Sequence, residues 1–228
     1  ILRNINTLLS IKQSKKILLS SFSAQKDLKK INSEGFRKSV VLRPPFIVPN
    51  YNNLHKLSYL KKKYKFKNNY FFLPNQYWIH KNHILILEIL KELKKEKKEI
   101  LVISTGALHD YRYPMHKNFI LNFIEKNNLK SNYIILGIVP YKILMSLMLN
   151  SIAVINPSKS EGWSSTVEQA KTFGKEILLS NIKVHLEQKP KRSFYFDPND
   201  KKKLKKKLIN FSKKFNLIKE ISIIKKNL

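Results

Sequence analysis

The chain has 228 residues, of which 43% are hydrophobic and 11% aromatic, so it is long enough for one large or two small globular domains. It contains no cysteine, which excludes a disulfide scaffold, a thiolate metal site and a cysteine nucleophile. The net charge of +30 favours an anionic partner, but only five of the 45 basic residues are Arg, so a compositional bias toward Lys is the competing explanation.

The first part of the chain predicts short βα units that end in a proline-rich segment. After the end of a helix, the predicted elements are a strand at 16–20, a helix at 24–30 and a strand at 39–43. Pro44, Pro45 and Pro49 break regular structure, so we place an interdomain linker near residues 44–53. Because the chain begins with Ile1 and not Met, we interpret it as part of a longer protein.

Beyond the linker, apolar segments alternate with helical patterns, which is typical of a parallel sheet covered by helices on both faces. The predicted strands are 70–73, 100–104, 133–136, 153–156, 177–179 and 194–196. The fold class is therefore α/β, with a Rossmann-like, doubly wound parallel sheet over about residues 66–197. Such sheets bind ligands beyond the carboxyl ends of their strands, where we expect the functional residues.

The tail from Asp200 onward is rich in Lys and predicts one or two amphipathic helices that pack on the domain. Its apolar residues at helical spacing are Leu204, Leu208, Ile209, Phe211 and Phe215. A membrane-surface role for these helices is the alternative. No signal peptide and no apolar run of spanning length is found, so we expect a cytoplasmic protein, with peripheral contact to an anionic membrane as an open alternative.

The most informative segment is 156–170, where a strand end, a polar loop and a helix start follow each other. Free N–H groups at the start of a helix bind a diphosphate well. Hydroxyl donors stand at three successive positions, Ser164, Ser165 and Thr166. Glu161 in the loop, and Glu168 about two turns into the helix, can accept hydrogen bonds from sugar hydroxyls. The structural alternative is that one serine is the N-cap and Glu168 is a solvated helix residue.

This segment resembles the Glu-rich donor-site motif of family 4 glycosyltransferases with the GT-B fold. The resemblance extends over about residues 16–228, and the other segments similar to the family are 73–83, 136–141, 171–180, 184–188 and 195–198. It implies a carboxyl-terminal domain that binds a nucleotide sugar over residues 51–228. Residues 1–50 are then a remnant of the amino-terminal domain, with partial βα units, and the linker.

The resemblance also implies a role for each residue of the motif. Glu161 is similar to the glutamate beside the transferred sugar, and Thr166 stands where a phosphate contact is usual. The turn whose backbone amides meet the sugar and phosphates corresponds to Gly162, Trp163, Ser164 and Ser165. The family's ribose-binding glutamate falls on Gln169, whereas Glu168 lies one residue early. Neighbours on a helix are rotated by about 100°, so the two cannot point alike, and we favour Glu168.

The segment that follows the first strand of the main sheet supplies a second part of the implied donor site. Lys81 resembles the family lysine that neutralises the donor diphosphate. The family's arginine a few residues earlier is missing, and Asn75 or Gln76 stands in its place. Ile138 and Val139 resemble the segment whose backbone reads the nucleotide base, with an ordinary strand-to-helix turn as the alternative.

Other sequence features limit the reaction class. The six histidines lack metal-ligand spacing and no Asp-x-Asp pair occurs, so we predict neither a metal nor any other cofactor. No P-loop or G-x-G-x-x-G occurs among the five glycines. His80 and His83 lie beside Lys81, with a structural role as the alternative. His185 and Glu187, which we place in a loop near the site, have no assigned chemistry.

The sequence therefore predicts a hexosyltransferase-type glycosyltransferase of cell-surface polysaccharide biosynthesis. It would transfer a sugar from a nucleotide sugar to a glycan or lipid-linked acceptor, and the family resemblance implies retention of configuration. The expected partners include no nucleic acid. The competing hypotheses are a basic nucleic-acid-binding module and a GT-B nucleotide-sugar epimerase or phosphorylase. Because the resemblance places the acceptor site in the amino-terminal domain, we expect the fragment alone to bind donor without turnover.

Overall fold

A computed structural model describes residues 2–46 and 50–226, and part of the predicted linker, at 47–49, lies outside the described residues. The strands are β1 (Ile17–Leu19), β2 (Ser39–Val41), β3 (Tyr70–Pro74), β4 (Leu101–Thr105), β5 (Tyr133–Ile135), β6 (Val154–Asn156), β7 (Ile177–Ser180) and β8 (Ser193–Phe196). The helices are α1 (Leu2–Gln13), α2 (Phe22–Ile31), α3 (Ser33–Lys38), α4 (Leu57–Tyr64), α5 (His83–Lys95), α6 (His116–Lys126), α7 (Tyr141–Asn150), α8 (Ser165–Thr172), α9 (Lys183–Gln188), α10 (Lys201–Lys214) and α11 (Leu217–Lys226). Short 3-10 turns occur at Tyr51–Asn53 and Ile79–Lys81.

The first βα units form a small parallel sheet of β1 and β2, with Leu18 opposite Val40. Polar residues begin its two later helices: the Ser21 side chain accepts from Ala24 N at the start of α2, and the Asn32 side chain accepts from Gly35 N at the start of α3. These caps satisfy N–H groups that have no partner inside the helix. The predicted strand at 39–43 ends at Val41 in the structure; Leu42 N still donates to Leu19 O at 2.8 Å, and Pro44 and Pro45 follow.

The main sheet has six parallel strands in the order β5-β4-β3-β6-β7-β8, which confirms the predicted doubly wound α/β class. The chain builds outward from β3 in one direction, then returns to the other side of β3 with β6. This reversal opens a crevice between the carboxyl ends of β3 and β6, the usual ligand position in such folds. The loops that follow these two strands carry Lys81 and Glu161.

Alternating side chains of the strands bury both faces of the main sheet. On β3, Phe71 and Leu73 enter the core beneath α5, α6 and α10, while Tyr70 and Phe72 enter the core beneath α4, α7 and α8. All four are fully buried. Burial of one such apolar side chain contributes about 1.5–3 kcal/mol, so the two cores hold the strand ends in place.

The predicted amphipathic tail consists of α10 and α11. Leu204 and Leu208 of α10 are fully buried, and Lys201 and Lys205 of the same helix make ion pairs with Glu92 on α5. The apolar residues of α10 therefore pack on the domain, and some of its lysines pair with α5, as the prediction of an amphipathic helix requires. Within residues 2–46 and 50–226, no helix combines the length and apolarity needed to cross a bilayer.

Candidate functional site

Buried polar side chains join the two loops at the reversal point of the sheet. Asn75, directly after β3, donates from Nδ2 to Asn156 Oδ1 at 3.1 Å, and Asn156 Nδ2 donates to Ser164 Oγ at 2.8 Å. Thr166 Oγ1 donates to Pro74 O at 3.0 Å and to Asn75 Oδ1 at 3.3 Å. Buried polar groups need such partners. The side chains of Asn75 and Thr166, both predicted to contact substrate, therefore bond to each other and to the loops that they join.

Lys81 and Glu161 meet in the crevice although 80 positions separate them. Lys81 Nζ donates to both carboxylate oxygens of Glu161, at 2.7 Å and 2.8 Å. Their side chains are only 14% and 6% exposed. The structure thus brings together the two residues predicted to be catalytic, at the edge of a cavity of about 520 Å³.

Three further hydrogen bonds hold the loops that carry this ion pair. Asn82, just after Lys81, has a positive φ of 58° and donates from Nδ2 to Pro157 O and Pro198 O, each at 3.1 Å. Lys159 N donates to His80 O at 2.8 Å. Asn tolerates the left-handed conformation better than most residues, which explains its presence at this turn. The loop that carries Lys81 is therefore attached to the loop that carries Glu161.

The predicted motif turn begins α8. Ser164 is its N-cap and accepts from Val167 N at 3.4 Å, while Gln188 on α9 bonds to both the N–H and the carbonyl of Ser164, at 3.3 Å and 2.9 Å. Ser164 therefore has the structural role that was the alternative to substrate binding, the N-cap of α8. Gly162 and Ser165 are exposed residues at this helix start, the kind of position where backbone N–H groups bind anions.

Trp163 connects the motif turn to the first βα units. The Arg43 guanidinium lies 5.2 Å from the Trp163 ring centroid, and a Cβ on Gly162 would lie 3.8 Å from Ser20 Oγ. Trp163 Nε1 is buried without a partner among the described residues. The cavity edge at the motif turn therefore adjoins the segment after β1.

Glu168 and Gln169 differ in their surroundings. Glu168 lies in the first turn of α8, not two turns in as predicted, because the helix begins at Ser165 and not earlier. Its Oε1 accepts from Gln188 Nε2 at 2.9 Å and from Lys171 Nζ at 3.1 Å. Gln169 is half-buried. The carboxylate favoured for ribose binding is thus already held by two donors, and its role stays a prediction.

The residues predicted to read the base follow β5, two strands away from the reversal point. Ile138 is 81% exposed, and Val139 packs against the core beneath α7. Gly137 has a φ of 66° and its carbonyl accepts from Gly106 N at 2.8 Å, which positions the segment beside the end of β4. Gln76, which follows β3, is exposed.

The family model of the group 1 glycosyl transferases matches residues 56–226, which include both loops of the site. The chain belongs to this family. It is also 24% identical over 194 residues to the O-antigen chain mannosyltransferase RfbU of Salmonella typhimurium, an alignment that covers 85% of this chain and 50% of RfbU. The chain thus spans about half the length of the curated relative it matches.

Solved structures place this group 1 glycosyl transferase chain in the GT-B fold. It matches a glycosyltransferase from Rickettsia africae with a TM-score of 0.71 and 19% identity, over 93% of this chain and 58% of that one. It matches HepE of Anabaena in complex with UDP and glucose with a TM-score of 0.73 and 12% identity, over 96% and 64%. It matches WaaG, a glycosyltransferase involved in lipopolysaccharide biosynthesis, with a TM-score of 0.71 and 16% identity, over 93% of this chain and 56% of that one.

His83 has a structural position in the group 1 glycosyl transferase chain. It is fully buried, stacks on Tyr77 at 4.0 Å, and bonds through Nδ1 to Tyr133 OH at 2.7 Å and through Nε2 to Gln76 O at 3.0 Å. Because a carbonyl only accepts, Nε2 carries the proton. Burial lowers the pKa of His83 to about 3, so the ring is neutral. His80 is half-buried, and burial together with Lys81 lowers its pKa.

His185 and Glu187 lie in helix α9 and not in a loop, because α9 forms directly after β7. Glu187 accepts from Phe22 N at 2.9 Å, from Ser23 N at 3.0 Å and from Arg43 Nη2 at 3.0 Å. Burial raises its pKa, but these donors outweigh burial and hold the pKa below the usual value. Glu187 therefore joins α9 to the start of α2, whereas His185 is buried and bonds to Ser180 O.

Arg112 is a site residue that sequence reasoning missed. It lies between β4 and α6, and it lines the same cavity as Lys81 and Glu161. Its position at the carboxyl end of a parallel strand, two residues after Asp110, is the signal that could have identified it. Within the described part of the chain, no group of three His, Asp or Glu side chains could hold a metal ion.

Proposed function

We propose that the protein to which this chain belongs is a retaining glycosyltransferase of cell-surface polysaccharide biosynthesis. It transfers a hexosyl unit from a nucleoside diphosphate sugar to a glycan or lipid-linked acceptor. The observation that carries the proposal is the Lys81–Glu161 pair at the reversal point of the sheet, with Nζ–Oε distances of 2.7 Å and 2.8 Å. Residues 51–228 would bind the donor, and residues 1–50 would belong to the acceptor-binding domain and the linker.

The leaving diphosphate gives the site its chemical requirement. Charge develops on the phosphate oxygen as the sugar–oxygen bond breaks, and fixed donors that meet this charge lower the barrier. Lys81 would be one such donor, from the turn before α5. The amides near Gly162 and Ser165 would be others, because they lie at the start of α8. Glu161 would accept hydrogen bonds from the hydroxyls of the sugar. Removal of one such donor lowers kcat about 10²- to 10³-fold in other enzymes.

Relatives support a nucleotide sugar as the donor. RfbU is described as a mannosyltransferase of the O-antigen chain, and HepE has been solved with UDP-glucose. A lipid-linked acceptor would draw the enzyme to the anionic cytoplasmic face of a membrane. The exposed lysines of α10, which include Lys202, Lys203 and Lys206, are suited to that contact.

The first experiment measures nucleotide binding and sugar transfer by the full-length protein. We expect a panel of nucleoside diphosphates and their sugars to include one that raises Tm, and we expect Lys81→Ala and Glu161→Gln each to lower activity at least about 100-fold. Matched controls are Lys62→Ala in α4 and Glu99→Gln just before β4, which change exposed residues that do not line the cavity. Full activity in both site variants would contradict the site assignment.

A second experiment separates the proposal from nucleic-acid binding. A nucleic-acid-binding module loses affinity steeply with salt, because each neutralised phosphate releases counterions. We expect nucleoside diphosphates to bind and duplex DNA or RNA to bind weakly at physiological salt. Steep salt-dependent binding of nucleic acid, without any nucleotide-induced rise in Tm, would overturn the transferase proposal.

A third experiment tests the proposal that transfer needs no metal. The donor diphosphate would be neutralised by side chains and helix amides, so EDTA should leave the rate unchanged within about twofold. Loss of activity in EDTA that added Mg²⁺ or Mn²⁺ restores would refute metal independence.

A further inference from the structure

The cavity lacks an uncommitted positive charge on the loop that follows β3. Asn75 or Gln76 stands where the family resemblance expects an arginine; both side chains are neutral, and Asn75 is buried while Gln76 is exposed. Lys81 is already matched by Glu161, which accepts from Nζ at 2.7 Å and 2.8 Å. A nucleoside diphosphate brings several negative charges, and charge-assisted hydrogen bonds are the strongest way to bind them. A second cation at this cavity would therefore have to come from another element.

Arg112 reaches the same cavity from the loop between β4 and α6. Its Nε donates to Asp110 Oδ1 at 3.0 Å and one Nη donates to Asp110 Oδ2 at 3.4 Å. The guanidinium also lies 4.8 Å from the Trp78 ring centroid. Asp110 is fully buried on its side chain, while the Arg112 side chain is 31% exposed. Asp110 and Trp78 therefore hold the guanidinium, and the side chain remains partly exposed at the cavity.

The hydrogen-bond capacity of Arg112 is only partly used. A guanidinium carries five N–H donors in a planar fork that matches phosphate oxygens. Asp110 takes donors from Nε and one Nη, and within the described residues the other Nη has no protein acceptor. Burial raises the pKa of Asp110, but Arg112 outweighs burial and keeps that pKa below the usual value. Asp110 therefore stays ionised and keeps the fork in one orientation.

We propose that Arg112 is the second cation that binds the diphosphate of the donor, in place of the family arginine whose position is taken by Asn75 or Gln76. Asp110 and Trp78 are positioning residues that act through Arg112. The inference rests on the proposed function, because it assigns a further contact at the same donor site. It extends the site to a third loop, at the carboxyl end of β4.

The test compares diphosphate with monophosphate binding by calorimetry, with the full-length protein and the nucleoside that it prefers. We expect Arg112→Gln to weaken diphosphate binding about 10- to 100-fold and monophosphate binding much less, because the second cation acts on the larger negative charge of the diphosphate. Arg112→Lys should keep more of the diphosphate preference, since it keeps the charge. Arg37→Gln on α3, an exposed arginine, is the matched control and should change neither affinity.

The outcomes separate this inference from the proposed function. If the wild-type protein binds no nucleotide, the proposed function fails. If it binds and Lys81→Ala weakens binding while Arg112→Gln does not, only the role of Arg112 is wrong. An equal loss of monophosphate and diphosphate affinity in Arg112→Gln, with unchanged Tm, would also overturn it, because the residue would then not act on the additional charge of the diphosphate.

Discussion

Lys175 offers a sharp test of the electrostatics beneath the C-terminal helices. Its side chain is fully buried, and Nζ donates to Ser151 O at 2.5 Å, to Leu149 O at 3.3 Å and to Glu220 Oε1 at 3.1 Å. Glu220 is shared with Arg192, whose Nη2 lies 2.8 Å from Oε2. Burial lowers the pKa of Lys175 from 10.5 to about 8 despite Glu220. The protonated side chain therefore destabilises the fold at neutral pH.

The sign of the pH effect follows from proton binding in the two states. Between the folded pKa near 8 and the unfolded value of 10.5, the unfolded chain binds more protons at Lys175, so stability rises with pH. The full shift corresponds to about 3 kcal/mol at neutral pH. Between about pH 7.5 and 9.5, we expect a gain of about 2 kcal/mol in the free energy of unfolding. Above pH 10, the raised pKa of Tyr133, about 12, reverses the trend.

Urea unfolding across this pH range measures the effect, with Lys175→Met as the test variant. Relief of general charge repulsion also stabilises the +30 chain as pH rises, so the wild-type curve alone does not decide. Lys206→Met removes an exposed lysine of α10 and should keep the wild-type slope. Over the same pH range, the free energy of unfolding of Lys175→Met should rise by about 2 kcal/mol less than that of the wild type. Equal slopes in the two variants would refute the buried, depressed pKa.

Three further predictions concern contacts that shape the site. Gly106→Ala places a Cβ 2.6 Å from Asn75 O at a φ of +130°, so the free energy of urea unfolding should fall by about 2 kcal/mol or more. A fall of less than about 0.5 kcal/mol would contradict the clash. Glu187→Gln weakens the attachment of α9 to α2, so limited proteolysis within 2–46 should become about tenfold faster than in the exposed control Glu125→Gln, whereas equal rates would count against the attachment. His83→Phe removes the donor to Gln76 O and leaves the Tyr133 hydroxyl with only Tyr77 OH at 3.4 Å, so it should cost about 1–3 kcal/mol of stability. An NMR titration of wild-type His83 with a midpoint near its ordinary pKa would contradict its neutral, buried state.

Most of the fold was predictable from local apolar patterns. Every predicted strand of the main sheet overlaps an observed one, with ends that differ by a residue or so, such as β4 at Leu101–Thr105 against the predicted 100–104. Strands buried on both faces leave continuous apolar segments, which explains this agreement. The helix α3 was not predicted, because its six residues bury only Gly35 and so carry little periodic signal.

The site was predictable as a set of positions but not as a set of contacts. Loop residues after β3 and β6 had to lie near each other, and Lys81 and Glu161 do. The direction of a side chain within a loop depends on distant partners that no local pattern encodes. The sequence therefore did not identify Arg112, because its orientation at the cavity depends on its contacts with buried Asp110 and with the Trp78 ring.

The cavity charges explain why the large positive charge of the chain does not determine its ligand. At the cavity, Lys81 is matched by Glu161 and Arg112 by Asp110, while burial lowers the pKa of His80. The lysines that give the +30 charge include many exposed helix residues outside this crevice, among them those of α10. A donor must compete with the local carboxylates, so its affinity should depend on geometry and only weakly on salt. Long-range attraction would act on approach, where it raises the association rate for any anion without selecting among them.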